Sequence, residues 1–247
     1  MAKKTFVVLE NHPEVMKALA SKLGISPSLT FHDIYSLDLA DLSYIPKPVV
    51  ALLAIIPPTP AWGRDRQCED AAGLGLDYHD PSSPKSKSPI IWFKQTIGHA
   101  CGSIGLLHSV LNGPASEYIL PGSLAEKIRD AAAPLGMDAR AQMLYDSQEF
   151  EEAHMACAHL GDTVAPEATS EVPTGHFVAF VKVDGRLWEL EGSRQGPIDR
   201  GELGDDEDLL SPRALELGLK RIITLEKEDG VGDIYFSCLA LVGEEKA

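Results

Sequence analysis

The sequence predicts a mixed domain of strands and helices, α/β or α+β, and three observations carry that reading. A short apolar run, Val49–Ile56, is bounded by Pro46, Pro48 and the Pro57-Pro58 pair, which suits a strand buried on both faces. Two alternating runs meet at Asp184-Gly185, the strongest short-range signal for a hairpin. Helix start and stop residues recur between the strands: Pro13 with Gly24, Ser123 with Glu126, and Ser211 with Pro212.

In chain order, Pro13 opens and Gly24 closes a helix whose Val15, Met16, Leu19 and Leu23 recur at helical spacing. Val49–Ile56 is expected to be the first central strand. Residues 80–89, Asp-Pro-Ser-Ser-Pro-Lys-Ser-Lys-Ser-Pro, have almost nothing to bury and are expected to form a mobile loop rather than a domain boundary. Around Cys101 a glycine-containing segment turns into an apolar run with Ile104, Leu107, Val110 and Leu111, so a helix should begin there. Ser123 and Glu126 make a capping box for a helix through Ile128 toward Pro134, and another helix follows from Asp138. Residues 154–175 mix Gly161, Pro166 and Pro173 with polar residues, a length usual for functional lids. The 176–193 hairpin, a helix from Ser211-Pro212 and a final apolar strand over 234–242 complete the chain. No internal repeat interrupts it, and 247 residues suit one domain, 1–247.

Composition narrows the function. With 22 Lys+Arg against 37 Asp+Glu the formal charge is −15, which repels phosphate backbones and anionic lipid, so neither nucleic acid nor a membrane is the expected partner. The longest apolar run falls well short of the roughly 20 residues that cross a bilayer, and residues 6–9 are too short for a secretory signal core. A cytoplasmic protein is expected. Cys68, Cys101, Cys157 and Cys238 form no Cys-x-x-Cys pair, which argues against a zinc ribbon or a redox dithiol, and no cofactor is expected.

Chemistry concentrates in two segments. A cysteine at a helix N-terminus meets unpaired N–H groups and the positive end of the dipole, both of which favour a thiolate nucleophile, so Cys101 is the candidate. If Asp184-Gly185 is a two-residue turn, Val183 lies opposite Arg186, Val178 opposite Glu191 and His176 opposite Ser193. Glu191 is then diagonal to His176, about 7–8 Å between α-carbons, within reach of a hydrogen bond. A carboxylate orienting an imidazole is the base half of a nucleophilic triad. Gln95, six residues before Cys101, can place its amide beside the Cys101 N–H as an oxyanion donor.

These residues resemble the ubiquitin C-terminal hydrolases, a papain-like cysteine peptidase family. The likeness runs from Leu9-Glu10-Asn11-His12-Pro13-Glu14 and Ile45-Pro46-Lys47-Pro48-Val49 through Gln95-Thr96-Ile97 and Ala100-Cys101-Gly102 to His176 and Leu190-Glu191-Gly192. It implies a central, mostly antiparallel sheet between helices with a knotted backbone. It also implies Cys101 as nucleophile, His176 as general base and acid, Glu191 as its orienter and Gln95 as oxyanion donor. The partner implied is ubiquitin or a closely similar modifier, with Leu9 and Glu10 as candidate contacts. The family's loop before the histidine, 154–175 here, crosses the site and would favour small adducts and peptides over folded leaving groups. A monomer is expected.

Two departures stand out: the family usually has Asp where this chain has Glu191, and Asn where it has His99, which is either a filler or a perturber of Cys101. They leave open a catalytically impaired ubiquitin-binding module. A third reading takes His154, Cys157 and His159 as metal ligands.

Overall fold

The computed structural model describes residues 4–75, 90–162, 175–228 and 236–244; the predicted loop over 80–89 lies outside them. Six strands make one sheet: β1 Leu29–Asp33, β2 Val49–Ile56, β3 His176–Val183, β4 Arg186–Leu190, β5 Ile198–Glu202 and β6 Ser237–Gly243. Their spatial order is β1-β6-β2-β3-β4-β5, and every neighbouring pair is antiparallel. β2 sits in the middle as its all-apolar sequence requires.

The period of two along these strands feeds two cores. Ala51 and Leu53 of β2, Phe177, Ala179 and Val181 of β3, and Leu239 and Leu241 of β6 point to one face. Leu52, Ala54 and Ile56, Val178 and Phe180, and Cys238, Ala240 and Val242 point to the other. The first face is covered by α1 Pro13–Leu23, α3 Cys101–Val110, α4 Leu124–Ala132, α5 Met137–Asp146 and α6 Gln148–Cys157. α2 Pro60–Ala71, α7 Pro212–Leu217 and α8 Leu219–Glu228 lie with the second.

Local signals work as predicted at most ends. Pro13 is at the first position of α1 and Gly24 caps it at φ 80, a left-handed backbone that glycine adopts without a Cβ penalty. Ser123 accepts the Glu126 N–H at 3.2 Å, and Glu126 reaches back to the Gly122 N–H at 2.6 Å. The helix from Ser211 ends after one and a half turns, because the chain bends at Gly218 into α8. The predicted loop over 154–175 begins later than expected, since His154 through Cys157 belong to α6; residues 163–174 of it lie outside the described residues.

The hairpin is corrected at its open end. Val183 pairs with Arg186 and the register holds to Ala179 opposite Leu190, but β4 stops there. On its other edge β3 pairs Val178 with Ala54 and His176 with Ile56 of β2, while the ladder to β4 ends before Glu191 and Ser193. The chain after Leu190 instead joins the segment before Cys101: Gly192 accepts the Gln95 N–H at 2.7 Å, and Glu191 accepts the Trp92 indole N–H at 3.2 Å.

Candidate active site

Cys101 is the first residue of α3, at the end where helix N–H groups lack partners. The turn before it holds His99 at φ 58, a left-handed conformation that Asn, Asp and His occupy several-fold more often than other side chains. That backbone requirement accounts for histidine standing in an asparagine position. Val8, Gln95, His99, Cys101, Gly175, His176 and Phe177 line one cavity of about 110 Å³, so the thiol, the imidazole and the amide share a cleft. Glu191 lies behind the imidazole, its carboxylate Oε1 in close contact with His176 Nε2.

Helix α3 is buried from Gly102 through Val110, and its polar residues do a strand's work. His108 Nε2 accepts the Phe93 N–H at 2.9 Å. Asn112 accepts the Ile91 N–H at 2.7 Å and donates to the Ile91 carbonyl at 2.9 Å. The segment leading to Gln95 is thus bonded to α3 on one side and to the Glu191-Gly192 backbone on the other. Gly192 permits this approach, since a Cβ there would stand 3.0 Å from Gln95 Cβ. The Gln95 Nε2 donates one hydrogen to the Ile97 carbonyl at 3.2 Å and has a second to offer. Ser103 of α3 bonds His154 Nδ1, and His154 Nε2 donates to the Val7 carbonyl at 2.7 Å. This ties the thiol's helix to the chain beside Val8.

Burial pushes the imidazole of His108 down to about 3 and that of His154 to about 4, so both are neutral. The Cys101 thiol is raised: desolvation outweighs the N–H groups of Phe177, Gly102 and Cys101 itself, and the Glu191 charge adds to it. Burial thus works against the thiolate that the helix terminus favours. Burial pushes the Glu191 carboxyl up as well, but His176, then Arg66 and the Ser193 N–H, outweigh it and hold it at about 2.

Leu9 is 2% exposed and packs in the core, where a Cβ at Gly102 would meet it at 3.2 Å, so it is not available as a surface contact; Glu10 is half-buried. His154 is fully buried and committed to Ser103 and Val7, and among the described residues no cluster of His, Cys, Asp or Glu suits a metal, which removes the His154-Cys157-His159 reading. Sequence reasoning missed Arg66, Ser193, His108 and Asn112. The last two carried a signal: His108 and Asn112 are amide or ring side chains four residues apart in a stretch otherwise made of apolar and small residues.

A helix-terminal thiol, an imidazole on the adjoining strand and a carboxylate on that imidazole make the constellation of a cysteine hydrolase. The model of ubiquitin carboxyl-terminal hydrolase, family 1, matches residues 6–223, and the chain belongs to that family of papain-like cysteine peptidases. Ubiquitin carboxyl-terminal hydrolase 3 of Arabidopsis thaliana is 31% identical over 240 residues, covering 96% of this chain and 94% of its own. The isozyme L1 of Monodelphis domestica is 30% identical over 235 residues, 94% of this chain and 96% of its own. The crystal structure of the Trichinella spiralis UCH37 catalytic domain bound to ubiquitin vinyl methyl ester superposes with a TM-score of 0.73 at 20% identity, covering 99% of this chain and 98% of that one.

Proposed function

We propose that the protein is a thiol-dependent deubiquitinating hydrolase that removes small adducts or peptides from the C-terminal Gly of ubiquitin. The observation that carries this is the shared cleft of Cys101 and His176 with Glu191 seated on the far nitrogen of the ring. With Nε2 facing Glu191, Nδ1 is the ring nitrogen left to take the thiol proton. The Cys101 sulfur attacks the Gly carbonyl; the amide N–H of Cys101 and the second hydrogen of Gln95 Nε2 receive the oxyanion. His176 gives its proton to the leaving amine, a thioester remains, and His176 then activates the water that hydrolyses it. The preference for thin adducts rests on the likeness to the family, whose loop before the histidine, 154–175 here, crosses the site.

The test is a ubiquitin derivative carrying a C-terminal electrophile: covalent capture at Cys101, lost in Cys101→Ala, is the expected result. Capture at another residue, or none with an intact fold, refutes the reading. A raised thiol makes a further prediction for the free enzyme. Alkylation of Cys101 by iodoacetamide should rise with pH through a midpoint above that of a cysteine peptide, because the thiolate forms only once pH passes the raised value.

A further inference from the structure

In the middle of α2, Arg66 reaches the site from outside the cleft. Its Nη2 touches Glu191 Oε2 and donates to Ser193 Oγ at 2.5 Å, while its guanidinium carbon lies 4.6 Å from the centre of the Trp62 ring. Trp62 and Glu191 are each 1% exposed, so the guanidinium is stacked on a fixed surface and aimed at a buried charge. The two carboxylate oxygens are divided: Oε1 serves His176 Nε2 and the Ser193 N–H at 2.6 Å, and Oε2 serves Arg66.

We infer that Arg66 is a positioning residue for the Glu191–His176 pair and that it sets the side-chain length required at position 191. The inference rests on the catalytic reading above. The backbone at 191 is pinned by the Trp92 indole and by the Arg194 N–H at 3.2 Å, and Gly192 is pinned by Gln95. A shorter side chain therefore retracts from a backbone that does not follow it. Stacked on Trp62, Arg66 does not follow it either, so an aspartate here reaches His176 or Arg66 but not both. Glutamate spans the gap, which is why this chain works with the longer acid where its family usually has the shorter one.

The experiment measures kcat and KM separately for fluorophore release from the C-terminus of ubiquitin by the wild type, Arg66→Met, Arg66→Lys, Glu191→Asp and the double variant Arg66→Met/Glu191→Asp. Arg66→Met should lower kcat about 10- to 100-fold, the usual cost of losing a partner that orients a functional ligand, with KM within about twofold. Arg66→Lys should recover part of it, because a point charge does not hold Glu191 and Ser193 together. Glu191→Asp should lose a similar factor in the wild type and far less in the Arg66→Met background. Millimolar guanidinium should restore turnover to Arg66→Ala, which a packing defect would not allow. Unchanged kcat in Arg66→Met, full activity in Glu191→Asp, or additive losses would overturn the inference. If Arg66→Met fails to fold, the Arg66→Lys and Glu191→Asp pair carries the same non-additivity test. An inert wild type that no electrophilic ubiquitin labels would instead overturn the catalytic reading itself.

Discussion

Helices α3 and α2 hold opposite sides of the same site, one with neutral hydrogen bonds and the other with charge. On the α3 side, His154, Asn112 and His108 pair with backbone groups of Val7, Ile91 and Phe93, Ser103 bonds the His154 ring, and both histidines are kept neutral by burial. On the α2 side, Glu69 joins Arg194 at 2.9 Å, Arg221 at 3.0 Å and Arg200, and Arg200 joins Glu189 at 2.8 Å. Asp65 and Asp70 extend the network to Arg221 and Arg194. The difference follows what each side presents. A thiol whose proton must leave during reaction sits best in a dry neutral wall, where no fixed cation commits it beforehand. A carboxylate that must stay ionised while almost fully buried needs a cation, and Glu191 takes Arg66 from the same helix that carries Glu69 into the network.

Glu69→Ala should have the largest effect, because it strips partners from Arg194 and Arg200, which are 1% and 7% exposed; a loss of about 3–5 kcal/mol in urea unfolding is expected. A loss under 1 kcal/mol would mean that the network is dispensable.

Acid should separate the two sides by pH window. A buried histidine with a folded value below its ordinary 6.5 binds fewer protons folded than unfolded, so its stabilisation is complete above pH 6.5 and is lost as pH falls toward 4 for His154 and 3 for His108. At pH 5 each should have lost about 2 kcal/mol. Glu69 and Glu191, both held at about 2, contribute stability above pH 4.5 that fades only as pH falls toward 2. Unfolding free energy should therefore already decline between pH 6.5 and 5, and replacing His154 with Gln should flatten that slope by about half. A flat profile there would refute the neutral wall.

The smallest expected effect is at the turn. His99→Asn should cost under about 0.5 kcal/mol, since asparagine accepts positive φ, whereas a β-branched residue, His99→Val, should cost about 1–2 kcal/mol by thermal unfolding. Equal costs would show that the side chain, not the backbone, decides the position.

How much of this was written in the sequence depends on the range of the interaction. Pro13 with Gly24, Ser123 with Glu126, and the Asp184-Gly185 turn act within a few residues and were legible. So was the meeting of Cys101, His176 and Gln95 in one cleft with Glu191 against the ring, each residue marked by a helix start, a hairpin or a short spacing. β1 and β5 were not, because they are edge strands of mixed polarity, Leu-Thr-Phe-His-Asp and Ile-Asp-Arg-Gly-Glu, with no continuous apolar run to announce them. Helix α2 was missed because its residues are largely polar and its buried side chains are Ala61 and Trp62, so little periodicity survives. The role of Arg66 was illegible because, among the described residues, Trp62, four residues earlier, is its only nearby partner in sequence, while Glu191 and Ser193 lie more than a hundred residues further on. The exit of Glu191 from the ladder was illegible for the same reason: the groups that draw it away, Trp92 and Gln95, belong to a distant stretch.

The turn ahead of Cys101 is also clasped by the very beginning of the described chain. Phe6 donates to the Gly98 carbonyl at 2.8 Å, Gly98 donates to the Lys4 carbonyl at 2.9 Å, and a Cβ on Gly98 would collide with Thr5. Anyone engineering this protein inherits that latch: a fusion tag, a linker or a protease site abutting Lys4 is two hydrogen bonds away from the turn that leads into the reactive sulfur.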